Sequence, residues 1–159
     1  MDYSMFYSAL GKLLYAVADA DGIVSPQEKK YMFELVQKRL MHKETHTDEF
    51  GTNDAWYATF EFEVADEQIM SAADAFLSFT EYIEENKNKI NEDTRQLCLI
   101  LADKLADSYR HSNKKEIILI QKLREVLFTL ENKPPANNKG RWLLSLQNFE
   151  ILQSWKKLL

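Results

Sequence analysis

Three carboxylates, Asp19, Asp21 and Glu28, fall within ten positions of one another and surround Gly22. Carboxylates this close can cap helices, bind a hard cation, or do both. Ca²⁺ and Mg²⁺ take several oxygens, from carboxylates together with backbone carbonyls. A helix C-terminus offers unpaired carbonyls at the negative end of the helix dipole, so aspartates there call for a compensating charge. The candidate metal ligands are therefore Asp19, Asp21 and Glu28, with Ca²⁺ or Mg²⁺ as the ion. The spacing is not that of an EF-hand, whose glycine and final glutamate both stand two positions later relative to Asp19. The other use of the same residues is structural, with Glu28 in a capping box and the aspartates solvated.

His42 and His46 are one helical turn apart, with Glu44, Asp48 and Glu49 close by. Two imidazoles at that spacing can face one transition metal. The order H-K-E-T-H is not the H-E-x-x-H of a metalloprotease, and the stretch is polar enough to read as a loop with exposed histidines. His111 reads as a turn residue. Cys98 stands alone inside Leu97-Cys98-Leu99-Ile100-Leu101, a buried and inert thiol with no disulfide partner. Trp56, Tyr57 and Trp142 border polar segments, where they either pack the loops onto the body or anchor a partner. No phosphate loop, cysteine pair or nucleophile–base constellation occurs, so no catalytic residue and no enzymatic activity is expected.

The elements that must position these residues are helical. Four Gly and three Pro in 159 residues, with 45% apolar and 28% charged residues, describe a soluble domain large enough to bury a core. Helix 1 is expected over about 3–20, with Leu10, Leu13, Leu14 and Val17 on one stripe, stopped at Asp21-Gly22. Ser25, Pro26 and Glu28 then start helix 2 as N-cap, first-turn proline and capping-box glutamate. Residues 42–53 read as a loop and 54–64 as a short helix. A further helix is expected over about 66–86, with Ile69 on its apolar stripe and an acidic outer face of Asp66, Glu67, Asp74, Glu81, Glu84 and Glu85. Asn91 and Asn113 cap two more helices. Residues 131–140 read as a linker, and 141–159 as an amphipathic helix anchored by Trp142, Leu146, Phe149, Leu152 and Trp155.

An internal repeat supports the layout. Ala18, Asp19, Ser25 and Glu28 align with Ala106, Asp107, Asn113 and Glu116 at a constant offset of 88. The second copy lacks the Asp-Gly pair. The expected fold is an all-α, compact bundle of six or seven helices. Two helical hairpins in a pseudo-repeat build it, with an extra C-terminal helix. Residues 1–131 form the domain, and 132–159 are a linker and a helix packed on it.

The helix ending in Ala18, Ala20, Asp21 and Gly22, followed by Ser25 and Glu28, resembles the TerB-like domain of bacterial tellurite-resistance proteins. The resemblance implies an all-helical fold, a bacterial stress or tellurite-resistance setting, and acidic clusters that bind metal. It implies no reaction. The alternative is a metal-independent adaptor that binds other proteins through its helices. The net charge of −5 argues against nucleic acid as a partner. No apolar run is long enough for a membrane span, and Met1-Asp2-Tyr3-Ser4 lacks the basic start of a signal peptide, so a cytoplasmic location is expected. The apolar C-terminal helix leaves a homodimer open.

Overall fold

The computed structural model describes residues 2–108 and 114–128. Six α-helices make up the described residues: α1 (Tyr3–Ala18), α2 (Pro26–Val36), α3 (Trp56–Glu67), α4 (Ala72–Asn86), α5 (Glu92–Ala106) and α6 (Lys114–Phe128). No strand is present among them, only a lone antiparallel bridge between Thr47 and Asn53. The all-α bundle expected from the sequence is what the chain forms. The readings of Asn113 as a cap, of the linker and of the helix over 141–159 lie outside the described residues.

α1 is the central helix. Eleven of its sixteen residues are buried, and it packs mainly against α3 and α4, then α5. Gly11 permits the closest of these approaches: a Cβ there would stand 2.3 Å from the Ala58 carbonyl oxygen of α3. Glycine costs a helix interior about 0.5–1 kcal/mol relative to alanine, and here that cost brings two helix backbones together. Lys12 reinforces the crossing with an ion pair to Glu61 at 3.3 Å. The hairpins pack against each other, α1 and α2 both touching α5. They are not equivalent, however: α5 and α6 lie side by side, whereas α1 and α2 touch little and both lean on α3.

Local chemistry sets most boundaries. Asp2 caps α1 and accepts from the Met5 amide. Ser25 and Glu28 form the full capping box of α2, which continues into a wide π-type turn over Gln37–Met41. Gly22, with φ of +93°, makes the left-handed turn that residues with a Cβ rarely adopt. Asn91 caps α5, and Ile90 beside it is buried.

One boundary differs from the sequence reading. The helix expected over 66–86 is interrupted: Asp66 and Glu67 end α3, and α4 begins at Ala72 with Ser71 as its cap. Ile69, expected on the apolar stripe, adopts φ of +52° and is 88% exposed. A β-branched side chain in that region is strained, so the break is imposed by tertiary contacts. The Tyr15 hydroxyl donates to the Met70 carbonyl at 2.7 Å, and the Asp19 carboxylate takes the Ala72 amide. Both partners sit on or beside the buried helix α1 and hold the turn from below.

Candidate functional site

The acidic corner is built where α1 ends. Its three carboxylates part company there. Glu28 turns back on its own helix: its Oε2 accepts from the Ser25 amide at 2.7 Å, and its own amide donates to Ser25 Oγ at 3.2 Å. Asp21 closes a local turn by accepting from the Ile23 amide at 3.1 Å. Asp19 reaches across the fold, and its Oδ2 accepts from the Ala72 amide at 3.0 Å. An amide at the first turn of α4 that has no partner within its own helix is thereby satisfied from another element, the same service an N-cap performs.

Asp19 and Asp21 line one open groove of about 390 Å³ together with Ser71, Ala72, Asp74 and Lys115. Glu28 is not among its lining residues. Burial raises the pKa of Asp19; the Ala72 amide and Lys115 pull it down, while Asp21 and Asp66 push it up, and the result is above the ordinary aspartate value. Among the described residues, no three His, Cys, Asp or Glu side chains come together in a way that could hold a metal ion. The corner ties the end of α1 to the start of α4, and its groove, lined by Asp19 and Asp21, can receive a cationic group.

A second polar centre forms where the 42–55 loop folds over α1, from residues that the sequence offered only as a possible metal-facing histidine pair or as exposed loop histidines with acids close by. Glu44 is its hub. Its carboxylate accepts from the Tyr7 hydroxyl, from the His46 amide at 2.8 Å and from His46 Nδ1 at 2.6 Å. Burial alone would raise the Glu44 pKa, but Tyr7 and His46 outweigh it and hold the group below its usual value. The His46 ring stacks on Tyr3, with centroids 3.9 Å apart. His46 is thus exposed, as the sequence suggests, yet fixed in place; His42 is exposed. Asp48 accepts from the Phe50 and Thr52 amides and from the Tyr57 hydroxyl, which fixes the loop tip. Asp54 is 7% exposed, and its buried Oδ1 has no hydrogen-bond partner. Burial first, then Glu44 and Asp48, push its pKa up.

Cys98 is buried, as expected, and burial pushes its thiol up to about 12, which removes it from nucleophilic chemistry near neutral pH. The aromatic pair proves more informative. Tyr57 is partly buried against Asp48, whereas Trp56 is 47% exposed and Phe60, one turn along α3, is 60% exposed. α3 buries Ala58, Thr59, Phe62 and Ala65 on its inner face and turns Trp56 and Phe60 to solvent.

Comparison with known protein families, with curated proteins and with solved structures finds no match. No helix among the described residues is long and apolar enough to cross a membrane.

Proposed function

We propose that this chain is a non-enzymatic helical domain of the TerB-like kind, working as a protein-interaction module in a bacterial stress or tellurite-resistance system. The outer face of α3 is its contact surface. The observation that carries this reading is the exposure of Trp56 and Phe60 at adjacent turns of a helix whose other face is fully engaged with α1. Large exposed aromatics are uncommon on a surface that meets only water, and tryptophan is prominent among residues that dominate binding energy. Glu63 and Glu67, exposed further along α3, add negative charge and favour a partner with basic groups around an apolar centre. The acidic corner serves this reading as a joint, holding α3 and α4 in register on α1. The test is affinity capture with the wild-type chain and with Trp56→Ala/Phe60→Ala. A partner lost with the double variant, at unchanged melting temperature, supports the surface; capture unaffected by the double variant overturns it.

A second reading places a divalent cation, Ca²⁺ or Mg²⁺, in the groove at Asp19 and Asp21. It is favoured by one observation: Asp19 and Asp21 line the same open groove, where the charge of Asp21 adds to burial in pushing the Asp19 pKa up. Calorimetric titration with Ca²⁺, Mg²⁺, Mn²⁺ and Zn²⁺ tests this. Binding weakened about tenfold or more by Asp21→Ala, as loss of one charged oxygen ligand implies, supports the cation; no heat of binding with any of the four removes it.

A further inference from the structure

The loop that leads into α3 carries a third exposed aromatic. Phe50 stands at its tip and is 84% exposed. The tip is closed on itself. The Asp48 amide donates to the Thr52 carbonyl at 2.9 Å, and the Gly51 amide to the Asp48 carbonyl at 3.0 Å. Asp48 Oδ1 accepts from the Phe50 and Thr52 amides at 2.9 and 2.8 Å. Gly51, with φ of +79°, makes a turn that residues with a Cβ rarely adopt. The other oxygen of Asp48 accepts from the Tyr57 hydroxyl at 3.1 Å. One carboxylate therefore holds both the Phe50 amide and the second residue of α3, which fixes the loop tip beside the first turn of that helix. Tyr57 lies about 100° round the helix from Trp56 and is half-buried, so it borders the exposed stripe. A large apolar side chain exposed singly needs no explanation. Three aromatics gathered at one end of one helix do, and the loop that carries Phe50 is already ordered and has little freedom left to lose on binding.

The charges around these aromatics have one sign. Trp56, Phe60, Glu63 and Glu67 recur at intervals of four, three and four residues and form the exposed stripe of α3, roughly 16 Å long. Glu49, exposed beside Phe50, adds a third acid at the aromatic end. The neighbouring cation, Lys29, is engaged with Asp66. We propose, on the basis of the α3 face being the contact surface, that Phe50 is its third anchor and that its occupant is an amphipathic helix of another protein, with an apolar stripe flanked by Lys or Arg. The apolar stripe covers the three aromatics, while its basic residues meet Glu49, Glu63 and Glu67 or lie over the aromatic rings. A helix suits a face that is itself a helical stripe. No strand occurs among the described residues, so they offer no sheet edge to an extended peptide. A second copy of this chain fits poorly, because it brings the same acids to the contact from both sides. An anionic lipid surface is repelled by them.

Two measurements on the full chain test this. A photoreactive phenylalanine analogue is placed in turn at positions 50 and 60 and irradiated in cells of the source organism, and the joined peptides are sequenced by mass spectrometry. Both positions are expected to join the same segment of one other protein, with apolar residues at three- and four-residue intervals and Lys or Arg beside them. An adduct from position 60 without one from position 50, or a joined segment that is acidic or lacks that spacing, overturns the inference and leaves the α3 face as a contact surface. Adducts only with lipid, with a second copy of this chain or within the chain also overturn it. No adduct from either position removes the contact surface as well. A synthetic peptide of the joined segment is then titrated against the wild-type chain, Phe50→Ala and Trp56→Ala/Phe60→Ala. Phe50→Ala is expected to weaken binding about fivefold or more, as loss of an anchor does, with the melting temperature unchanged because the side chain is exposed. Affinity unchanged by Phe50→Ala overturns the inference even where the double variant abolishes binding; affinity unchanged by the double variant removes the α3 reading on which it rests.

Discussion

Asp54 and Glu44 show how two carboxylates beside the same loop take opposite roles. Glu44 is half-buried with three donors, and its pKa falls; Asp54 is buried with an orphan oxygen, and its pKa rises. The signs then fix the pH behaviour. Asp54 binds its proton more readily folded than unfolded, so it destabilises the fold above its raised pKa. That penalty fades as the pH falls through this value towards the ordinary 3.8. Asp54→Asn is therefore expected to raise the melting temperature at pH 7, with the gain shrinking in acid; a gain that persists unchanged at low pH would contradict the charge as its source. Glu44 contributes in the other direction. Its stabilisation is present above the unfolded carboxylate value and is lost as the pH falls through its depressed pKa. Glu44→Gln weakens charge-assisted bonds to Tyr7 and His46 and should cost about 1–3 kcal/mol at pH 7, read by denaturant unfolding. None of this was legible in the sequence. Glu44 and Asp54 stand in a polar loop, and only the fold brings Tyr7, thirty-seven residues before Glu44, to its carboxylate.

At the scale of the elements, starts were easier to read than breaks. Ser25 with Glu28, and Asn91 with Ile90, carry their capping chemistry within a few residues, and the structure uses them as such. The break between α3 and α4 has no glycine or proline to announce it. Apolar spacing runs on through Ile69, and the turn exists because Tyr15 and Asp19 hold it. This gives two predictions of opposite sign. Ile69→Gly relieves a left-handed β-branched residue and should stabilise by about 1 kcal/mol, net of the freedom glycine adds to the unfolded chain. Asp19→Ala removes the acceptor of the Ala72 amide at the start of α4 and should destabilise by about 1 kcal/mol, with Asp19→Asn recovering part of it. Urea denaturation measures both. At the α1–α3 crossing, Gly11→Ala improves helix propensity yet drives a Cβ into the Ala58 carbonyl. The overpacking, about 1–3 kcal/mol, should win, and the melting temperature should fall by several degrees. A rise would mean that the two helices separate without cost.

At the scale of the molecule, the sequence announced an all-helical bundle and an acidic corner. The first was legible because helical spacing and caps are local. The corner was legible as a cluster but not as a geometry. Three carboxylates within ten positions look alike in sequence, whereas the fold sends Glu28 into its own cap, Asp21 into a turn and Asp19 across to α4. The α3 face was only half visible, since Trp56 and Phe60 share a helix with Phe62 and nothing in the spacing alone says which aromatic faces out. That face is the centre of the account. Its most direct test is a photoreactive phenylalanine analogue at position 60 of the full chain, irradiated in cells of the source organism, with the same analogue at exposed Glu84 of α4 as control. A discrete covalent adduct with another protein is expected from position 60 and none from position 84. No adduct at position 60, or the same adducts from both positions, would contradict it.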